Sequence, residues 1–440
     1  MTKRSGSSGV PVGTMAALML SVFTVSMGYG VLLPLLPYLI ERLLGAGENP
    51  SQVSTSTGLL TGLYTLSLFL FAPVWGRLSD RYGRRTILLV GLIGFSATMA
   101  TFAFIENLAA VYAERFLSGM FAAAVTPVAL AAIADLATTE AARGRRLTLV
   151  SLAGISGFLL GPTLGVFLAR ITSSLVPTVS TAGSLALPLA GTAVIALLVA
   201  FAAIFTVPGT KGIDTASQPG EITSQFGPWL VPKLLLVSFA VSAAVGVFEV
   251  GLALRGKQEL ALSQYQIALM FTECSLVMFI VQAIVFSPWV KPETTRWLIS
   301  PALAILAVAL FLVPRASDFT LMLLVIGAVA ASAGILSPIL TYWISNKAGK
   351  KQGRELGKQT AAASLGAAVG SAVGGVLFDV PWLPGASFLV VTAVIAVALF
   401  FSLDLPTRLM RPALLGGAAT RTARNAAAAP PIDTMEKRTR

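Results

Sequence analysis

The ionisable side chains inside long apolar stretches of this chain include Arg115, Glu249 and Glu273. Counted from the nearer end of its stretch at 1.5 Å of helix rise per residue, Glu249 is about 8 Å deep, Arg115 about 10 Å and Glu273 about 12 Å. A carboxyl group in such a place can take up and release a proton, or it can bind a cationic ligand directly. The alternative is that each acid belongs to a fixed ion pair or reaches water at the end of its stretch. We treat all three as candidates for proton exchange or ligand binding.

Several kinds of chemistry are excluded by residue types that the sequence lacks. It contains no histidine and one cysteine, Cys274, which removes imidazole zinc sites, internal disulfides and multi-cysteine metal sites. A GxxxxGK[ST] phosphate-binding loop is also missing, which argues against direct ATP hydrolysis. With no set of nucleophile and base in addition, we expect no enzymatic activity, no metal and no cofactor.

The elements that would position these residues are membrane-spanning helices. Hydrophobic residues make up 55% of the chain and charged residues 11%, and the mean hydropathy is +0.83, which is far from the usage of soluble domains. Crossing the hydrocarbon of a bilayer takes about 20 apolar residues. Twelve stretches qualify, which predicts an all-α integral membrane protein: 15–41, 55–76, 86–105, 108–135, 147–170, 184–207, 233–254, 265–287, 296–313, 319–343, 358–378 and 385–404.

The basic residues indicate how these spans are oriented. The formal net charge is +12, and most lysines and arginines fall on one side if the N-terminus is cytoplasmic. Short cytoplasmic loops retain positive charge, so both termini are predicted to be cytoplasmic. Topology then accounts for nearly all of the basic excess, and we expect a lipid bilayer rather than nucleic acid as the partner.

The spans divide into two sets of six. Segment 208–232, which is rich in Pro and Gly, is predicted to be a cytoplasmic linker between six-helix bundles at 15–207 and 233–405. Pro127 and Pro338 each stand sixteen residues before an arginine in a basic loop, and each loop is followed by a glycine-rich span. This repeat suggests two copies, whose interface near the bilayer midplane is the expected ligand site. Residues 1–14 and 406–440 are predicted to be cytoplasmic tails, the second of them disordered.

A dense group of charges separates the second span from the third. Orientation alone would explain arginines there, but an aspartate and two spaced glycines go beyond that need. The segment resembles the loop between the second and third helices of major facilitator superfamily transporters, through Gly76, Leu78, Asp80, Arg81, Gly83, Arg84 and Arg85. The resemblance implies a gate that latches the two halves on the cytoplasmic side, with Asp80 facing the start of the eleventh span near Gly357.

Arg115 begins a segment that resembles the arginine-containing helix motif of proton-coupled members of this family. Snorkelling of this arginine to the membrane surface is the alternative. Glu114 is expected to point away from Arg115, since adjacent helical residues do not share a face. By the same resemblance Asp135, at the other end of the span, would pair with an arginine of the gate, and we favour Arg84.

The fifth span carries glycines at every fourth position, together with a proline. Such a stripe permits close helix packing and bending, and general packing is the alternative explanation. The pattern resembles the hallmark motif of the antiporters of the superfamily, through Gly157, Gly161, Pro162 and Gly165.

The chain departs from many drug exporters of the family in one respect: its first span has no acid before Glu41, at the outer end. Proton coupling would then depend on the seventh and eighth spans. Aromatic residues that are candidates for lining a cavity are Tyr29, Tyr64, Phe248 and Tyr342, although aromatics in spans also pack between helices or anchor at interfaces.

The resemblance implies a monomeric twelve-helix secondary carrier of the cell membrane, of the bacterial inner-membrane type. We expect a proton-driven antiporter that exports small, largely apolar, drug-like compounds by alternating access. A metabolite or sugar carrier of the same superfamily, including a symporter, is the alternative. A membrane protein with no transport activity is a remote third.

Overall fold

The structure, a computed structural model, describes residues 11–45, 49–102, 104–136, 140–175, 181–209, 229–285, 287, 290, 292–348 and 352–409. Within these ranges every regular element is helical. The predicted linker 208–232 and the two predicted tails therefore lie largely outside the described residues.

Fourteen α-helices follow one another in these ranges. The first seven are α1 Val12–Leu32, α2 Leu36–Leu44, α3 Pro50–Tyr82, α4 Arg84–Phe102, α5 Leu108–Leu136, α6 Glu140–Leu175 and α7 Thr181–Thr206. The others are α8 Leu230–Gln258, α9 Gln264–Val285, α10 Ile299–Leu312, α11 Phe319–Ala348, α12 Gln352–Val376, α13 Ala386–Ser402 and α14 Leu405–Arg408. Short 3-10 turns, Pro292–Leu298 and Val313–Arg315, flank α10.

The first predicted span is two helices rather than one. α1 ends at Leu32 and α2 begins at Leu36, where Pro37 occupies the first turn. Pro34 and Pro37 have no N–H to donate, so a continuous helix would lose the hydrogen bonds to the carbonyls four residues before each of them. The first turn of a new helix tolerates proline, which explains why α2 restarts there.

Eleven of the described helical segments are long and apolar enough to cross a membrane. The segment that falls short is α12, predicted as the span 358–378. Its 25 residues reach about 38 Å, but they are mostly Gly, Ala and polar residues. α12 packs against α3 and α8, and small residues let helix backbones approach closely. α12 is therefore long enough to span the membrane, and its surface packs against other helices of the protein.

Each half of the chain has its own apolar core. One buried cluster draws its residues from 17–207, and the other draws nearly all of its residues from 230–409. Each core contains side chains from most helices of its half, which agrees with two bundles separated by the linker segment.

Glycine stripes pack in the same way in the two halves. A Cβ atom at Gly161 would lie 2.6 Å from the carbonyl oxygen of Met27, so α6 lies directly on α1. In the second half, a Cβ atom at Gly374 would lie 3.1 Å from the Cα of Val247, so α12 lies on α8 in the corresponding manner. The shared arrangement supports the internal repeat inferred from the sequence.

The halves meet along α3 and α12, and along α6 and α9. We call the end of the bundle that carries 76–85 the basic-loop end. Polar contacts between the halves cluster at the opposite end. There Tyr38 donates to the carbonyl of Leu262 at 2.8 Å, Lys257 pairs with Glu41 at 2.5 Å, and the amide of Gln258 donates to the hydroxyl of Ser54 at 3.1 Å.

Candidate functional site

A cavity of about 370 Å³ lies between the two halves, within the size range of sites for small molecules. Its wall is mostly apolar, with hydroxyl groups and one carboxylate. The lining residues are Val25, Ser26, Tyr29, Tyr64, Thr65, Leu68, Ala122, Thr126, Phe158, Val241, Ser242, Val245, Gly246, Glu249, Met278, Ala333, Ser337 and Ala367. Both halves contribute, as expected of a site at the interface of two repeats.

The acid of this cavity is Glu249, on α8. The hydroxyl of Tyr29, on α1, donates to its Oε2 at 2.7 Å. A hydrogen bond to a carboxylate is stronger than one between neutral groups, and this one joins the two halves. Any motion that separates α1 from α8 at this point must break the hydrogen bond, unless the two side chains move together.

Aromatic rings hold Tyr29 in place. Its ring stacks on Tyr64 of α3, with centroids 5.0 Å apart and an interplanar angle of 18°, and on Phe158 of α6 at 5.9 Å and 26°. Three helices of the first half thus fix the tyrosine that contacts Glu249. The three rings also form an apolar part of the cavity wall, against which an apolar or aromatic ligand can pack.

Arg115 lies behind this wall rather than in the cavity. Contrary to the expectation from helix geometry, Glu114 does not point away: the Arg115 guanidinium binds both oxygens of Glu114, at 2.7 Å and 3.0 Å. Both side chains are buried, and a buried charge is stable only when it is paired. The long, flexible arginine side chain bends back toward Glu114. The directions of the two Cα–Cβ bonds, on which the expectation was based, do not predict such a bend. The guanidinium also lies 5.6 Å from the centroid of the Tyr64 ring.

Glu273, on α9, is also absent from the cavity lining. A Cβ atom at Gly327 of α11 would lie 3.1 Å from its Oε1, so the acid faces another helix of its own half. Its Oε2 is buried and has no hydrogen-bond partner among the residues that the structure describes. The adjacent Thr272 shares a hydrogen bond with Thr163 of α6, in the other half.

Two of the four aromatic candidates line the cavity, namely Tyr29 and Tyr64. Phe248 does not, because it is next to Glu249 on α8 and its ring is turned into the core of the second half. Tyr342 does not either; it is partly exposed and its ring lies edge-on to Trp343. Phe158 also lines the cavity but was not predicted to do so, because it lies between two glycines of a stripe that was interpreted as a helix-packing surface.

The gate residues form a compact ion-pair network on one helix junction. Arg84, at the start of α4, pairs with Asp80 at 2.6 Å and with Asp135 of α5 at 2.9 Å, the partner that the resemblance implies. It also donates to the hydroxyl of Ser79 at 2.6 Å. Gly83 has a positive φ of 96°, which glycine adopts without strain, and this allows the sharp turn between α3 and α4.

Part of the gate segment is open to its surroundings. Cβ atoms at Gly76 and Gly357 would meet no heavy atom within 4 Å, and the Asp80 side chain is 60% exposed. The Asp80 carboxylate pairs with Arg84, and its expected contact with the start of the eleventh span near Gly357 stays a prediction. Arg81 packs over the ring of Tyr82, and Arg85 lines a separate groove.

The glycine motif of α6 forms the surface against which α1 packs. Cβ atoms at Gly157 and Gly161 would collide with the backbone of α1, and one at Gly165 would lie 3.0 Å from the side chain of Val31. Pro162 lies against Gly30. The stripe thereby sets the position of the helix that carries Tyr29.

Comparisons with known proteins agree with this architecture. A family model described as the Major Facilitator Superfamily matches residues 18–353 and also 234–428. Multidrug resistance protein 1 of Bacillus subtilis (strain 168) is 27% identical over 405 residues, which are 90% of this chain and 97% of the relative. Quinolone resistance protein NorA of Staphylococcus aureus (strain COL) is 26% identical over 370 residues, 82% and 89% of the two chains.

Solved structures show the same fold. A D-xylose–proton symporter superposes with a TM-score of 0.71 at 14% identity, covering 89% of this chain and 97% of its own. The human organic anion transporter MFSD10 (TETRAN) gives 0.66 at 20% identity, covering 89% and 100%. The predicted fold class, an all-α membrane protein of twelve spans in two bundles, is confirmed, and so is the family resemblance. Since the family model covers far more than half of its residues, this multi-pass membrane protein belongs to the Major Facilitator Superfamily and is a transporter of a small molecule.

Proposed function

We propose that the protein is a proton-coupled antiporter that exports small, largely apolar, drug-like compounds by alternating access. The observation that carries the proposal is the hydrogen bond between Tyr29 and Glu249, which crosses the two halves inside the cavity at 2.7 Å. A group that exchanges a proton at this point acts directly on the contact that must change when access alternates.

Glu249 would couple the two fluxes through competition for one negative charge. A cationic substrate in the cavity and a proton both neutralise the carboxylate, so occupancy by one disfavours the other. Neutralisation also weakens the charge-assisted bond from Tyr29. Either ligand therefore loosens the contact between α1 and α8 and eases the exchange of access.

The lining of the cavity supports a largely apolar substrate. The stacked rings of Tyr29, Tyr64 and Phe158 form an apolar part of the wall, and hydroxyls such as Ser26 and Ser242 supply scattered polar contacts. The names of the two bacterial relatives, which refer to multidrug and quinolone resistance, are consistent with this class. A metabolite or sugar symporter remains the rival within the superfamily.

The proposed setting follows from the basic residues. We place the basic-loop end, with both termini, in the cytoplasm, since short cytoplasmic loops retain Lys and Arg. Each chain holds a complete cavity between its own halves, so we expect a monomer to suffice in the bacterial inner membrane.

The test uses the purified full chain in liposomes that enclose a pH-sensitive dye, with the membrane potential clamped. A permanently charged aromatic ammonium compound is added outside, because it cannot carry protons by itself. An antiporter exchanges entering compound for leaving protons, so the interior becomes alkaline. Acidification would identify a symporter, and no change across a panel of aromatic cations and neutral compounds would overturn the proposal. Protein-free liposomes are the control.

A further inference from the structure

A second cavity, separate from the central one, lies at the basic-loop end of the first half. It is a groove of about 450 Å³ between the end of α3, the first turns of α4 and the residues that follow α7. None of its lining residues lines the central cavity. The groove has no part in the proposed transport cycle.

One end of the groove is cationic. Arg85 lines it and forms no ion pair or hydrogen bond with any residue that the structure describes, whereas its neighbour Arg84 is paired with Asp80 and Asp135. The hydroxyl-bearing side chains of Tyr82 and Thr86 stand at the same end, and both are exposed. The groove thus presents an uncompensated positive charge beside groups that can donate hydrogen bonds.

The other end of the groove is apolar and faces outward from the bundle. Leu89, Val90 and Ile93 continue the lining along α4. The side chains of Val90 and Ile93 are 39% and 49% exposed, and in a spanning helix such side chains face lipid. From Arg85 to Ile93 the helix rises about 12 Å, so the groove runs from the membrane surface into hydrocarbon.

We propose that this groove binds one anionic glycerophospholipid of the adjacent leaflet. Arg85 holds the phosphate, with Tyr82 and Thr86 beside it, and one acyl chain lies along Leu89, Val90 and Ile93. Exposed Arg81, next to Tyr82, adds positive charge near the headgroup, and basic pockets at the cytoplasmic ends of helices attract anionic lipids. A free anion would use the cationic end alone and leave the apolar wall without a ligand.

Native mass spectrometry of the detergent-solubilised full chain, with phosphatidylglycerol or phosphatidylcholine added, tests the proposal. Wild-type protein should retain one phosphatidylglycerol in preference to phosphatidylcholine. Arg85→Gln should lower the retained fraction about tenfold, as expected for loss of a hydrogen bond to a charged group. Arg77→Gln, which changes an exposed arginine outside the groove lining, is the matched control and should retain the lipid. Equal loss in both variants, or no loss in either, overturns the assignment.

A second measurement avoids any effect of Arg85→Gln on folding. A photo-crosslinking amino acid at position 93 should label phosphatidylglycerol more strongly than phosphatidylcholine in mixed vesicles. Soluble glycerol phosphate should not compete with that labelling. Equal labelling of the two lipids would mean ordinary contact with bulk bilayer, and loss of labelling with glycerol phosphate at the same concentration as phosphatidylglycerol would mean that the acyl chain adds nothing to binding; either result refutes the proposal.

Discussion

Glu249 and Glu273 are carboxyls at similar depth on consecutive helices of the second half, yet their surroundings differ. Glu249 lines the cavity between the halves and accepts a hydrogen bond from Tyr29 of the first half. Glu273 faces Gly327 within its own half, and one of its oxygens has no donor among the described residues. Two acids at similar depth in the membrane can therefore differ in their contacts. One contacts the other half of the protein, whereas the other contacts only its own half.

The difference matters because alternating access is motion of one half against the other. A bond across the interface is made or broken by that motion, and its free energy enters the equilibrium between states. An acid enclosed in one half influences that equilibrium only indirectly. For Glu273 the indirect route is short, since the adjacent Thr272 contacts Thr163 across the interface.

Glu249→Gln should have the largest effect. Glutamine keeps a carbonyl oxygen for the Tyr29 hydroxyl but cannot exchange a proton. Loss of the charge replaces a hydrogen bond to a charged group, worth about 1.5–3 kcal/mol, by a neutral one worth about 0.5–1.5 kcal/mol, and the difference corresponds to about five- to tenfold in a binding equilibrium. Substrate-driven alkalinisation of liposomes should fall at least tenfold and lose its dependence on pH.

The matched control for this variant is Glu106→Gln, which neutralises an exposed acid outside the cavity. It should behave as wild type. Wild-type rate and pH dependence in Glu249→Gln would remove this acid from the mechanism.

Tyr29→Phe should have an intermediate effect. The ring remains to stack on Tyr64 and Phe158, so the wall of the cavity is kept while the hydroxyl is lost. A hydrogen bond to a charged group contributes about 1.5–3 kcal/mol, so apparent substrate affinity should change about tenfold or more, while Glu249 remains and proton coupling is retained. The apparent substrate affinity and its dependence on pH are the measurements. If both are the same as in wild type, the hydrogen bond from Tyr29 does not affect the function of Glu249.

Glu273→Gln should have a smaller effect, although its depth alone would rank it with Glu249. The acid does not line the cavity, so substrate affinity should stay within about threefold of wild type, as for substitutions worth under 1 kcal/mol, and coupling should persist. Transport assays of both variants under identical conditions decide the ranking. If Glu273→Gln abolishes coupling while Glu249→Gln does not, the roles of the two acids are reversed.

Local sequence signals predicted the helices well and the contacts between them less well. Apolar length located the spans, but α12 is less apolar than the others because its neighbours are helices, and Pro34 and Pro37 together divide the first span. The Arg115–Glu114 pair escaped helix-face reasoning because long side chains can bend. Ser242, Gly246 and Glu249 at three- to four-residue spacing mark one face of α8, but its partner Tyr29 depends on how the halves meet, which no local pattern encodes.

Gly327→Ala is the smallest change and tests the surroundings of Glu273. An alanine Cβ there would lie 3.1 Å from the carboxylate, so the acid must shift. Alanine in place of glycine stabilises a helix by about 0.5–1 kcal/mol when space allows. Gly191→Ala, whose nearest neighbour would be at an ordinary 3.7 Å, should therefore raise the thermal unfolding temperature in detergent, whereas Gly327→Ala should not. In a protein that already carries Glu273→Ala, Gly327→Ala should raise the thermal unfolding temperature as Gly191→Ala does. A gain from Gly327→Ala alone would mean that the Glu273 side chain is not held against α11.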